Sequence, residues 1–433
     1  MLRYSGRQGL PNRGTNGGWL PPPPVLRTVV TQNRVFQNQV TLTAKDSWCV
    51  ITEHIIGQDC ESIVLNYNGW KSTSTGETNI LDAFTIQSAA IIANSTFVPV
   101  TWSGGRTKTI NPGDNDINSD VALASGVGLA KFTKGSSIYS KIYYSCALGA
   151  TMPISVRDIR QVATGQQSAS FLSSVTTPST TDATGPFTFT GVAPVTLSNF
   201  PITPIVLGYA LNDETSVLGV GDSITEQVGD PSSNSALGAT GNGYFQRMMR
   251  AATGPADDPI SSINFARSGN DHPDFIGTNV RWAEYIKYCT HTLLHLGTNT
   301  IGSGCTKTLT QVQADEVALL AVVATKTSTL PIAVSLPPRT TSTDAWATAV
   351  NQTYLAACWN TTGTGKQFND WRITLVGTSY LTYFADVGLL DGSAPQKFNY
   401  NGAANAYAAD NTHPSAGGHE ARAVDFRPLV RAL

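Results

Sequence analysis

From Thr215 onward the chain alternates between two hydrophobic periods, and few folds accept that alternation. "SVLGVG", "SINFA", "THTLLHLG", "PIAVSLPP" and "RITLVG" are short apolar runs of strand length. Between them, "GYFQRMMRAAT", "NVRWAEYIKYC", "TLTQVQADEVALLAVVATK" and "DAWATAVNQTYLAACW" carry apolar residues at helical spacing. Tyr244, Met248 and Ala251 share one face of the first, and Val280, Tyr285 and Tyr288 lie near one side of the second. Repeated strand–helix units predict a parallel sheet with helices on both faces. Such sheets place reactive loops at the carboxyl ends of their strands.

The first half has a different texture. From Leu26 to Val206, "TVVTQNRVFQNQVTLTA", "WCVITEHII", "SIVLNYNGW", "FTIQSAAIIA", "SSIYSKIYYS" and "GPFTFTGV" are rich in Val, Ile, Thr and aromatic residues. Gly, Asn, Asp and Pro turns separate them, which predicts a β-sandwich or jelly roll without a four-turn helix. Residues 1–25 carry arginines and Pro21–Pro24 but no apolar core, so they are expected to form an extended arm and not a secretory leader. The expected organisation is an arm at 1–25, a β domain at 26–210 and an α/β domain at 211–433.

Composition narrows the partners. Charged residues are 13% of the chain, about half the ~25% of ordinary soluble domains. Net charge is −2, so there is no basic field to hold nucleic acid or an anionic membrane, and neither is expected as a partner. No window approaches the roughly 18 apolar residues of a membrane span. The six cysteines form no C-x-x-C; buried thiols are the bland reading, and Cys49–Cys60 is the local disulfide candidate. No metal site and no cofactor are expected.

Three strand ends and one C-terminal loop carry chemistry. Gly221-Asp222-Ser223 follows the first apolar strand of the second half. A serine hydroxyl needs an adjacent imidazole to take its proton. The imidazole needs a carboxylate to fix its tautomer and stabilise its cation. In "DNTHPSAGGHEARA", Asp410 and His413 stand three apart, so one loop supplies both. Acyl transfer also needs donors aimed at the developing oxyanion. Gly269 in "NFARSGND", and Gly297 and Asn299 in "LHLGTNTIG", follow two further strands. Each segment taken alone reads equally well as a turn, a helix cap or a surface pair.

Taken in order, these blocks resemble the SGNH hydrolases, the GDSL esterases and lipases. Gly221-Asp222-Ser223 matches the first block, and Asn264, Ser268 and Gly269 match the second, with Ala266 where the family has an earlier Gly. Gly297 and Asn299 match the third, with Thr300 in place of the family's Asp, and Asp410, His413 and Pro414 match the last. The resemblance covers Val217 to the C-terminus. It implies a flavodoxin-like three-layer α/β/α domain. It implies Ser223 as nucleophile, His413 as base and then acid, and Asp410 as its orienting carboxylate. It implies an oxyanion hole of the Ser223 and Gly269 N–H groups and the Asn299 side chain, with the support of that side chain in question at Thr300.

The other candidates are weaker. Asp222 is expected to bond loop N–H groups. On a helix, His419 would face away from His413. His291 and His295 share a strand face about 13 Å apart at ~3.3 Å per residue, too far for one metal ion. His54 and His272 lack a partner pattern, and His272, close to Gly269 in sequence, is a minor candidate for lining the cleft. The expected function is hydrolysis of short-chain acyl esters, O-acetyl above all, on an acylated polysaccharide or a small ester. The β region would bind glycan or mediate packing and assembly. The alternative is a phage virion attachment protein, assembled as an oligomer, whose second half deacetylates host glycan or is inactive. Either way the expected location is extracellular or virion-associated.

Overall fold

The computed structural model describes residues 25–31, 33–41, 43–154, 168–196, 203–230, 243–250, 258–277 and 280–433. The expected arm lies outside these residues except for Val25. In the first half, strands Ser47–Ile55, Phe84–Ala93 and Ser137–Ser145 pair antiparallel at the centre of a seven-stranded sheet. A second sheet runs in the order Val25–Thr28, Ile205–Ala210, Ser62–Tyr67, Ile117–Asn118. One core joins them. Trp48, Val50, Ile86 and Ile142 from the first sheet meet Ile63, Leu65, Tyr67 and Val206 from the second. Strand alternation sends Cys49 and Ile51 to the opposite face, against Phe171 and Phe187. Cys60 points into the core between the sheets. The candidate Cys49–Cys60 bridge therefore does not form, and both are free, buried thiols, as the blander reading has it. The disulfide joins Cys305 to Cys358.

The second half is built on a parallel sheet in the order Asn33–Arg34, Ser261–Asn264, Ser216–Gly221, His291–His295, Ile332–Val334, Thr382–Phe384. Leu218, Val220, Ile263 and Leu294 face Trp282, Tyr285, Leu319 and Val323. Val217, Leu293, Ile332 and Val334 face Tyr244, Phe245, Met248, Phe426 and Val430. The covering helices are the 3₁₀ segment Arg281–Tyr288 and the helix Leu309–Ala324 on one side. Tyr244–Met249 and Ala416–Arg431 cover the other. A capping box of Thr308 and Gln311 starts the Leu309–Ala324 helix. No helix among the described residues is long and apolar enough to cross a membrane.

Two sequence expectations fail here. "DAWATAVNQTYLAACW" is not a helix. Asp344 accepts hydrogen bonds from Ser342, Thr348 and Asn351 and folds the segment into a loop. A short hairpin of Thr340–Ser342 with Gln352–Tyr354 follows from it. "RITLVG" is not a strand, because Arg372–Thr374 ends the helix Thr364–Thr374, which buries Phe368 and Arg372. Tertiary burial of that face outweighs the β-preference of Ile373 and Thr374.

The halves also share a core. Val35, Val64, Trp70, Ile205 and Leu207 pack in one cluster with Leu218, Val220 and Ile263. Asn33–Arg34 adds a parallel edge strand to the second-half sheet. The change of texture near Thr215 marks a change of layer architecture inside continuous packing.

Candidate active site

Ser216–Gly221 lies between Ser261–Asn264 and His291–His295, so the chain passes from it to one neighbour and then crosses back to the other side. That reversal opens a crevice at the carboxyl end of the strand. Ser223 stands there as the first residue of the helical turn Ser223–Glu226, 3% exposed. Asp222 caps the turn, accepting the Ile224 N–H at 3.0 Å. Burial raises the Asp222 carboxyl above its usual range, against the pull of that N–H and of His413. A Cβ on Gly221 would lie 2.4 Å from the Thr225 hydroxyl, so the tight step from strand to turn requires glycine.

The Ser223 hydroxyl lies 2.8 Å from His413 Nε2, and His413 Nδ1 lies 2.8 Å from Asp410 Oδ2. Asp410 Oδ1 also accepts the backbone N–H groups of Thr412 and His413. Partial burial pushes the Asp410 carboxyl up. The hydrogen bonds from the His413 ring and backbone outweigh it and hold the group down at about 2. An ionised Asp410 takes the Nδ1–H, which leaves Nε2 as the acceptor for the Ser223 hydroxyl.

The two other strand-end loops meet each other, and the Arg267 N–H ties the first of them to the Gly221 carbonyl at 3.2 Å. Gly269 has φ +92°, in the left-handed region that favours glycine, and a Cβ there would strike Ser74 at 2.9 Å. The Asn299 side-chain N–H donates to the Asn270 carbonyl at 2.9 Å. Thr300 accepts the His272 N–H at 3.2 Å and lies 2.7 Å from His272 Nδ1. His272 is fully buried and does not line the cleft, because its Nε2 is engaged by Glu316. Glu316 pairs with Arg372 and accepts from the Tyr380 hydroxyl. Burial pushes Glu316 up, but Arg372 and His272 hold it below the usual carboxylate range.

Three other histidines support the fold. His419 accepts the Tyr244 N–H and donates to the Val228 carbonyl. His295 bonds to Thr225 and Tyr244 beneath the nucleophile turn. Burial, reinforced by Arg422, lowers its pKa far below the usual histidine value. His54 bonds to Ser140 in the first half.

Sequence reasoning missed the contribution of the first half. Gln37 donates to the Ala266 carbonyl, and Asn270 donates to the Thr73 carbonyl at 2.7 Å. Arg34 donates to the Glu226 carbonyl and to Gln227. Glu226 in turn accepts from Arg267 and the Ser268 N–H. No local pattern marks these residues. Glu316 did leave a signal. It occupies the buried stripe of its helix with Val312, Leu319 and Val323, where an apolar side chain belongs.

No protein-family model and no curated protein matches the chain. Among solved structures it is similar to a member of the lipolytic protein G-D-S-L family from Veillonella parvula, at 16% identity and TM-score 0.34 over 51% of this chain and 100% of that one. It is similar to a family two carbohydrate esterase from Clostridium thermocellum, at 12% identity and TM-score 0.32 over 94% and 98%. A carbohydrate esterase family 3 structure from Talaromyces cellulolyticus is similar at 12% identity and TM-score 0.30 over 51% and 99%. Scores of this size carry no functional argument, which rests on the geometry of the site.

Proposed function

We propose that this protein is a serine ester hydrolase with Ser223 as nucleophile. The observation that carries the reading is the Ser223–His413–Asp410 alignment, with both hydrogen bonds at 2.8 Å, at the reversal point of a parallel sheet. Ser223 Oγ attacks the ester carbonyl as its proton passes to His413 Nε2. The carbonyl oxygen gains the charge and takes hydrogen bonds from the Ser223 N–H, the Gly269 N–H and the second N–H of Asn299. The C–O bond to the alcohol breaks as His413 returns the proton to the leaving oxygen. Water then attacks the acyl-serine by the same route and frees the acid. Ionised Asp410 stabilises the His413 cation in both steps.

The substrate class we favour is a short acyl group, O-acetyl above all, on a polysaccharide. The Gly-, Asn- and Thr-rich strand-end loops carry no long apolar run in their sequence to line an acyl tunnel, and the low charge suits a neutral glycan. In this reading a flavodoxin-like three-layer unit carries the catalytic groups and the β-sandwich braces them. The test is turnover of aryl acetate, butyrate and octanoate by the wild type and by Ser223→Ala. Acetate is cleaved fastest, and the Ala variant loses turnover while keeping its melting temperature. A folded Ala variant with near wild-type turnover overturns the nucleophile, and faster octanoate cleavage overturns the acyl preference.

A further inference from the structure

His272, Glu316, Arg372 and Tyr380 are fully buried. Glu316 lies 2.5 Å from His272 Nε2 and 2.8 Å from Arg372, and the Tyr380 hydroxyl donates to it. Arg372 also donates to the Val334 carbonyl at 2.9 Å and the Leu296 carbonyl at 2.8 Å, at the ends of two sheet strands. Stability does not explain this ion pair, because well-packed apolar residues of similar volume often serve as well or better. Its position does. The His272 ring spans the two groups, with Nε2 on Glu316 and Nδ1 2.7 Å from the Thr300 hydroxyl. A Thr300 lone pair takes the His272 backbone N–H. Thr300 follows Asn299 directly, and His272 lies three residues after Gly269. The same two loops are joined again by Asn299 on the Asn270 carbonyl.

We propose that Thr300, His272 and Glu316 form a buried positioning relay that holds Gly269 and Asn299 at the distance a developing oxyanion requires. Anchored to the sheet through Arg372, the relay touches no substrate. It acts on the rate of the chemical step and not on ground-state binding, because oxyanion donors matter most as charge develops.

The proposal rests on the ester-hydrolase reading, and the experiment separates the two. Thr300→Val keeps the shape and removes the hydroxyl. Its kcat on an aryl acetate falls about tenfold to 10²-fold, the loss that follows a small misplacement of catalytic groups. KM is unchanged, and a fluorophosphonate still labels Ser223. Thr300→Ser recovers most of the turnover. On an Asn299→Ala background the same Val change costs less than it does in the wild type, because one positioned donor is already gone. Amide exchange over 269–272 and 298–301 rises in Thr300→Val and not in Thr300→Ser. If Thr300→Val does not fold, Glu316→Gln takes its place, with the same kcat loss at constant KM and the same rise in exchange. Wild-type kcat and exchange in a folded variant overturn the relay, and so does full additivity with Asn299→Ala. A wild type that neither cleaves aryl esters nor labels at Ser223 sinks the esterase reading instead, and the exchange arm still decides the relay.

Discussion

Removing the first half is expected to destroy the second. The fragment 211–433 retains Ser223, Gly269, Asn299, Asp410 and His413, so a reading of motifs alone predicts an active enzyme. The packing predicts otherwise. Val35, Val64, Trp70, Ile205 and Leu207, all nearly or fully buried, would be stripped from the cluster around Leu218, Val220 and Ile263. At about 1.5–3 kcal/mol per buried large side chain, the loss is roughly 8–15 kcal/mol. That equals the whole stability of a typical domain, roughly 5–15 kcal/mol. Polar partners are lost as well. Tyr285 loses Asn66 and Asn68, and the Arg281 and Trp282 N–H groups lose Glu77. The Gly269 loop loses Thr73 and Gln37. Expression of the fragment, sedimentation and aryl acetate turnover test this. The expected product is aggregated and inactive. A soluble monomer with turnover near the full-length rate would refute the shared core as a determinant of the fold.

Asn299→Ala should lower kcat by about 10²–10³ with little change in KM, because its bond strengthens only as charge develops; a loss under about threefold on this scale would remove it from the oxyanion hole. Asp410→Asn should lower kcat by about 10⁴, as the wrong His413 tautomer then faces Ser223. The stability that ionised Asp410 contributes is whole above its unfolded value near 3.9 and is lost as pH falls through its folded value of about 2. In urea titrations from pH 8 downward, the gap between wild type and Asp410→Asn should therefore close only in that acid window, and a gap closing above pH 5 would contradict the assignment. Cys305–Cys358 spans 53 residues, and replacing both by Ser should cost about 4 kcal/mol on the chain-entropy account, read as a lower urea midpoint. An unchanged midpoint would show that the surrounding packing carries the stability alone.

The readable parts of this protein were those encoded within one element. The short apolar runs at Ser216–Gly221 and His291–His295, alternating along the chain with helical-period segments such as the run before Ala324, announced a parallel sheet with helices on both faces. Asp410 and His413 were legible as a pair because three residues on one loop bring them together whatever the rest of the chain does. Ser223 was legible by its place after a strand. Tertiary structure decided what each buried face meets. It paired His272 with Glu316 across 44 residues, and that pairing made a histidine without any local partner pattern a buried brace. It set Thr73 and Gln37 of the first half against the loops of the second. It chose Cys358 for Cys305 and sent Cys49 and Cys60 to different clusters. It made "RITLVG" the end of a helix against its local preference. The physical reason is the range of the signal. Hydrophobic period and turn chemistry report how a segment folds and which side it buries, whereas a hydrogen bond between distant residues exists only after the segments have packed, and packing depends on every face at once.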